Sequence, residues 1–145
     1  MTFHPLQRDF VRSLFYDDPA GSLAHGHIFM NAPDINSDRL DPEIGYWHCD
    51  IAHHEELTWS EKVYELFGLP TGALVRREEA VTRYSELSRS VLERVRKYAL
   101  SRKYGFILDA EICPVRKNRR WIRILAIPIV KSGRVVGLHG LKRAL

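Results

Sequence analysis

Histidine and cysteine are the side chains of this 145-residue protein best suited to metal or nucleophilic chemistry, and their spacing argues against both. Imidazole is a good ligand for zinc or copper, and the histidines cluster at His25-Gly26-His27 and at His48 with His53–His54. Adjacent strand residues face opposite sides of a sheet, so His53 and His54 do not converge. They read as exposed turn histidines, and no metal site is expected. Cys49 and Cys113 are too few for a disulfide framework or a structural zinc site, and both fall in strand-like stretches where a free cysteine acts as a small apolar residue. No nucleophile elbow, P-loop, HExxH or dinucleotide glycine fingerprint is present. No pair of carboxylates at helical spacing faces a common pocket. No catalytic residue is therefore assigned, and the protein is not expected to be an enzyme.

Charge offers a second kind of chemistry. Residues 1–72 hold 4 Lys/Arg against 12 Asp/Glu, whereas residues 73–145 hold 18 against 6. Such a split marks a nucleic-acid or membrane surface, or two halves that face each other within the fold or across a dimer. Arg94, Arg96, Lys97, Arg102, Lys103, Arg116, Lys117, Arg119 and Arg120 have the chemistry to neutralise phosphates. No nucleic-acid motif accompanies them, so an acidic protein surface is preferred to nucleic acid as partner. No apolar run approaches the ~18–20 residues that span a bilayer. The N-terminus carries charges inside any apolar core of a secretory signal. The reducing cytoplasm is the expected compartment.

The elements that position these residues follow from periodicity. The length suits one domain with one core. Residues 1–43 read as an arm: Phe10, Val11, Leu14 and Phe15 form an apolar stripe on a short helix, which Asp17, Asp18, Pro19 and Gly21 end. Gly21 to Pro42 has the composition of loops. From Ile44, IGYWHCDI and LTWS read as strands joined by a polar HHEE turn. Ser60 caps a helix with Val63, Leu66 and Phe67 on one face, and Gly68 closes it. REEAVTRY gives a helical turn or two. The long helix SELSRSVLERVRKYALSRKYG runs between Ser85 and Gly105, with Leu87, Val91, Leu92, Val95, Tyr98 and Ala99 toward the core. Its outer face carries Arg89, Arg94, Arg96, Lys97, Arg102 and Lys103. Three strands follow: FILDAEICPV, RWIRILAIPIV and VVGLHGL. The predicted architecture is α+β, a five-stranded antiparallel sheet with helices packed on one face, plus the N-terminal helical arm.

In that order the residues resemble a PAS domain of the fold-3 type. The motifs are Trp47 and Asp50 in GYWHCDI, Trp59–Ser60 in LTWS, VYELFGLP, and Arg120–Trp121 opening a strand after FILDAEICPVRKN. The resemblance covers about residues 44–145. The sequence departs from it at Glu111, where the family usually has arginine, and at Arg116–Lys117, which replace an acidic-glycine turn. After Gly140 the chain reads LKRAL where the family's D-I-T marks the junction to an effector. The alternatives are a stand-alone PAS protein or a chain cut at the domain edge, and Met1 favours the first.

The resemblance implies a sensory or interaction module in signal transduction that dimerises and regulates a partner protein. It holds a small molecule between sheet and long helix, or none. The candidate pocket is Val63, Phe67, Tyr84, Leu87, Val91, Leu92, Val95, Leu108, Ala110, Ile112, Ile122, Ile124, Ala126 and Leu138. Ala110 and Ala126 are small enough to leave space, and Tyr84 supplies a polar handle. The outer sheet face, with Trp121, Leu125 and Ile127, is the candidate dimer or partner interface together with Phe10, Val11, Leu14 and Phe15, which cover it in cis or across a dimer. The cofactor stays unknown: heme or a small apolar ligand are the alternatives. The long helix offers no histidine, and His139 on the last strand is the remaining axial candidate. Flavin photochemistry would need an N-C-R-F-L-Q stretch, which is absent. A heme sensor and a basic nucleic-acid-associated regulator stand as rival readings.

Overall fold

Three C-terminal stretches, the first two buried along most of their length on both faces, build the centre of the sheet. In the computed structural model, which describes residues 15–16, 23, 26–31 and 41–145, these are β4 (Tyr104–Ile112), β5 (Arg120–Lys131) and β6 (Arg134–Ala144). They pair as an antiparallel meander, Phe106 opposite Ala126 and Leu125 opposite Leu141. The N-terminal hairpin, β2 (Ile44–Asp50) and β3 (Glu56–Trp59), joins it through β2 and β6, Trp47 opposite Gly140. A further strand, β1 (His27–Asn31), pairs antiparallel with β4. The sheet thus has six strands in the order β1-β4-β5-β6-β2-β3. Between β3 and β4 the chain forms α1 (Glu61–Phe67), α2 (Arg77–Ala80), a 3-10 turn (Val81–Arg83) and α3 (Glu86–Arg102).

The fold class is as expected, with one strand more than the five inferred. HIFMN lies in the stretch read as loop. Five residues after a glycine are too short to show their period alone, and the strand exists because β4 offers a pairing edge. Phe29 packs inward against the rings of Tyr98 and Tyr104, and Met30 is buried on the opposite face.

The helices cover one face of the sheet, and their seating differs from the inference in two respects. The buried face of α3 is Ser88, Val91, Leu92, Val95 and Ala99. Leu87 is 61% exposed and Tyr98 45% exposed. At 100° per residue, Leu87 stands a quarter-turn from Ser88, the residue that faces the sheet. Ser88 belongs there because its Oγ accepts a hydrogen bond from the Glu111 backbone N–H at 2.8 Å, and a small side chain lets the helix approach. The helix also ends earlier than Gly105. Lys103 takes the left-handed C-cap conformation, φ 59°, and Gly105 lies in β4. At the start of α3, Ser85 caps as inferred, its Oγ accepting from the Ser88 N–H. Ser60 instead directs its Oγ to the Tyr46 N–H at 2.8 Å, tying α1 to β2. Gly68 closes α1 at φ 70°, where a side chain would also meet the Val115 carbonyl.

Candidate functional site

Two apolar clusters lie on opposite sides of the sheet. Within the inner one, between β2, β5, β6 and the α2–α3 segment, is a cavity of about 70 Å³. Of the candidate pocket residues, Tyr84, Leu92, Ile124 and Leu138 line it. Val63, Phe67, Val91, Val95, Leu108, Ala110, Ile112, Ile122 and Ala126 are buried in the core around it and form no part of its wall. Leu87 faces solvent, for the geometric reason given above. The remaining wall was not inferred: Trp47, Cys49, Leu57, Trp59, Arg77, Ala80, Val81, Arg96, Phe106 and Lys142.

Lys142 is the unexpected member. It was legible in principle, since period-two alternation carried from Leu138 through Gly140 puts residue 142 on the inner face. Lys142 is 8% exposed. Its Nζ lies over the rings of Trp47 at 5.2 Å, Trp59 at 5.8 Å, Phe67 at 5.1 Å and Tyr84 at 5.9 Å. It donates to the Tyr84 hydroxyl at 3.2 Å. Removal from water lowers its pKa from 10.5 to about 7. Burial pushes the Tyr84 hydroxyl and the Cys49 thiol up, so both stay neutral near pH 7. The Trp47 indole Nε1–H has no hydrogen-bond partner among the described residues. Gly140 sits beneath that indole, and a side chain there would collide with the Leu125 carbonyl.

The cavity wall also carries Arg77 and Arg96, and these are paired. Arg96 bonds Glu55 at 3.1 Å, and Arg77 bonds Glu93 and lies 3.8 Å from Glu55. The inference that Arg96 lies on the solvent face of the helix is corrected: it turns toward the β2–β3 turn to meet Glu55. That turn holds His54 and Glu55 at φ 59° and 56°, a conformation uncommon for residues other than glycine. Here the acidic half of the sequence meets the basic half.

No histidine lines the cavity. His139 lies on the outer face, its Nδ1 3.1 Å from the Tyr46 hydroxyl, so it is not an axial ligand for a heme in the core. Alternation places Leu138, not His139, inward. Drug-sized ligand sites run to roughly 300–1,000 Å³, and the cavity at about 70 Å³ does not fit heme or a flavin. Among the described residues no group of three or more His, Cys, Asp or Glu side chains is placed to hold a metal ion. None of their helices is long and apolar enough to cross a membrane.

On the outer face, Phe15, Met30, Ile107, Leu125 and Ile127 form the second cluster. Of the inferred interface residues, Phe15, Leu125 and Ile127 are buried in this cluster, and Trp121 is half-buried. Phe10, Val11 and Leu14 lie outside the described residues. Beside this cluster, Asp109 and Arg123 stand opposite each other on β4 and β5 as a fully buried pair, with bonds of 2.6 and 2.9 Å. The Leu23 N–H donates to Asp109 Oδ2 at 3.3 Å, and Arg143 Nε donates to the Phe15 carbonyl. Sequence reading passed over Asp109 and Arg123 because each looks like an ordinary solvent-facing strand residue.

No protein-family model and no curated protein matches the chain. Solved structures do. The N-terminal PAS/PAC sensor domain of a diguanylate cyclase from Marinobacter aquaeolei superposes with a TM-score of 0.64 at 16% identity, over 70% of this chain and 94% of that one. A fungal light-oxygen-voltage domain photoreceptor gives 0.59 at 15% identity, over 97% of this chain and 92% of that one. The fold is that of a PAS domain. An RNA-binding light-oxygen-voltage receptor gives 0.61 at 12% identity, and the match spans 71% of this chain but only 29% of that receptor. In PAS terms the cavity lies between the sheet and the helical segment, and the outer face is the one that Phe15 covers.

Proposed function

We propose that this PAS domain is a sensory module in signal transduction that takes a small molecule in its core cavity, dimerises, and regulates a partner protein without catalysing a reaction. The observation that carries this reading is the cavity itself. It lies at the edge of the inner core, and its wall carries the polar groups of Lys142, Tyr84 and Trp47 among apolar side chains. The solved relatives are sensory domains, which agrees with this use of the fold. The outer sheet face and the N-terminal segment form the interface: Phe15 on Leu125 and Ile127 is the anchor, and Trp121 extends the patch.

Mass spectrometry under native and then denaturing conditions tests the ligand, and light scattering tests the assembly. The expected results are an additional small mass that is lost on denaturation and a dimer that Phe15→Asp dissociates. A bare native mass together with a monomer would overturn both parts.

A further inference from the structure

We infer that the cavity selects a small monocarboxylate, its charge on Lys142 Nζ and its second oxygen on the Trp47 indole N–H. This deepens the ligand-sensing reading and rests on it.

The inference follows from the charges and donors that remain once every pair is formed. Glu55 and Glu93 are matched by Arg77 and Arg96. Lys142 has no carboxylate partner among the described residues, although it is buried as deeply as an ion-paired side chain. Its single hydrogen bond goes to Tyr84, which leaves two ammonium N–H groups for other acceptors. Trp47 adds a buried donor with no acceptor. The side chains that could answer them, the Cys49 thiol and the Tyr84 hydroxyl, are held neutral. The missing component therefore carries oxygen acceptors and one negative charge. Two charges, as on a phosphate dianion, would leave one without a counter-charge. Ile124, Leu138 and Phe106 in the wall call for a short apolar tail, and about 70 Å³ leaves room for only a few non-hydrogen atoms.

The charged and titratable groups packed about the cavity are Cys49, Glu55, Arg77, Tyr84, Glu93 and Arg96. Burial lowers the Lys142 pKa to about 7, so its charge changes near neutrality. A carboxylate binds the ammonium form, so affinity is retained below pH 7 and falls above it, by roughly tenfold from pH 6 to pH 8.

Propionate is the probe, with propionamide as its neutral counterpart, each titrated into the intact protein while the indole N–H signals are followed by nuclear magnetic resonance. The expected result is saturable movement of the Trp47 signal with propionate. Binding should be about tenfold weaker at pH 8 than at pH 6, absent with propionamide, and lost in a folded Lys142→Met variant. Equal binding of both probes would overturn charge selection while leaving the cavity a ligand site. Binding of neither would overturn the carboxylate assignment. If no small mass accompanies the native protein either, the ligand-sensing reading falls with it. The pH series and the amide comparison use the unaltered protein, so they decide the matter even if the variant fails to fold.

Discussion

Lys142 keeps its proton up to about pH 10.5 when exposed but only to about pH 7 once buried. Between those values unfolding takes up a proton, so this residue makes stability rise with pH across that window. Below pH 7 both states are charged, and the full burial cost stands. A methionine at this position removes the cost and keeps the length. Lys142→Met is expected to be more stable than the parent by on the order of 2–4 kcal/mol at pH 6, with the gap narrowing by roughly 2 kcal/mol by pH 9. Urea unfolding at both pH values measures it. A gap independent of pH would mean that the ammonium is not desolvated. The sequence concealed this residue because KRAL at a chain end reads as a solvated tail, and nothing local shows that β6 runs on to Ala144.

At the scale of elements, the seating of α3 decides which side chains reach the core. Val95 is 2% exposed and Leu87 61% exposed, although both are apolar and both fit a helical stripe. Val95→Ala is therefore expected to cost roughly 1–3 kcal/mol, and Leu87→Ala less than about 0.5 kcal/mol, in chemical denaturation. Similar losses at the two sites would place the helix in the orientation that periodicity alone suggests. The sequence made the helix plain but not its rotation, because the residue that fixes it, Ser88, is polar and earns its buried position only through a bond to Glu111 on β4. The same holds for β1. Its five residues become a strand by pairing with β4, a contact across more than seventy residues of chain. By contrast, the hairpins and Gly68 were legible because turn chemistry and alternation are local.

For the whole molecule, the acidic first half and the basic second half meet through Glu55, while the ion pairs of Lys62 and of Arg123 each lie within one half. Glu55 meets Arg77 and Arg96 at the cavity wall, and Lys62 meets Glu43 and Glu65 on the surface. Arg123 meets Asp109 under the outer cluster. Removing one partner of such a buried pair costs roughly 3–5 kcal/mol, which explains why the two outer-face charges occur together. Lys142 is the buried cation without such a partner among the described residues, and it lies in the cavity rather than under the N-terminal segment. Phe15 thus packs on one face of the sheet, and the other face holds a buried cation with no carboxylate partner among the described residues. The most direct measurement is the titration of Lys142 by nuclear magnetic resonance at its terminal amine, without and with saturating propionate. The expected midpoint is near pH 7 in the free protein and well above that with propionate bound. A midpoint near 10.5 that propionate does not move would contradict the central claim.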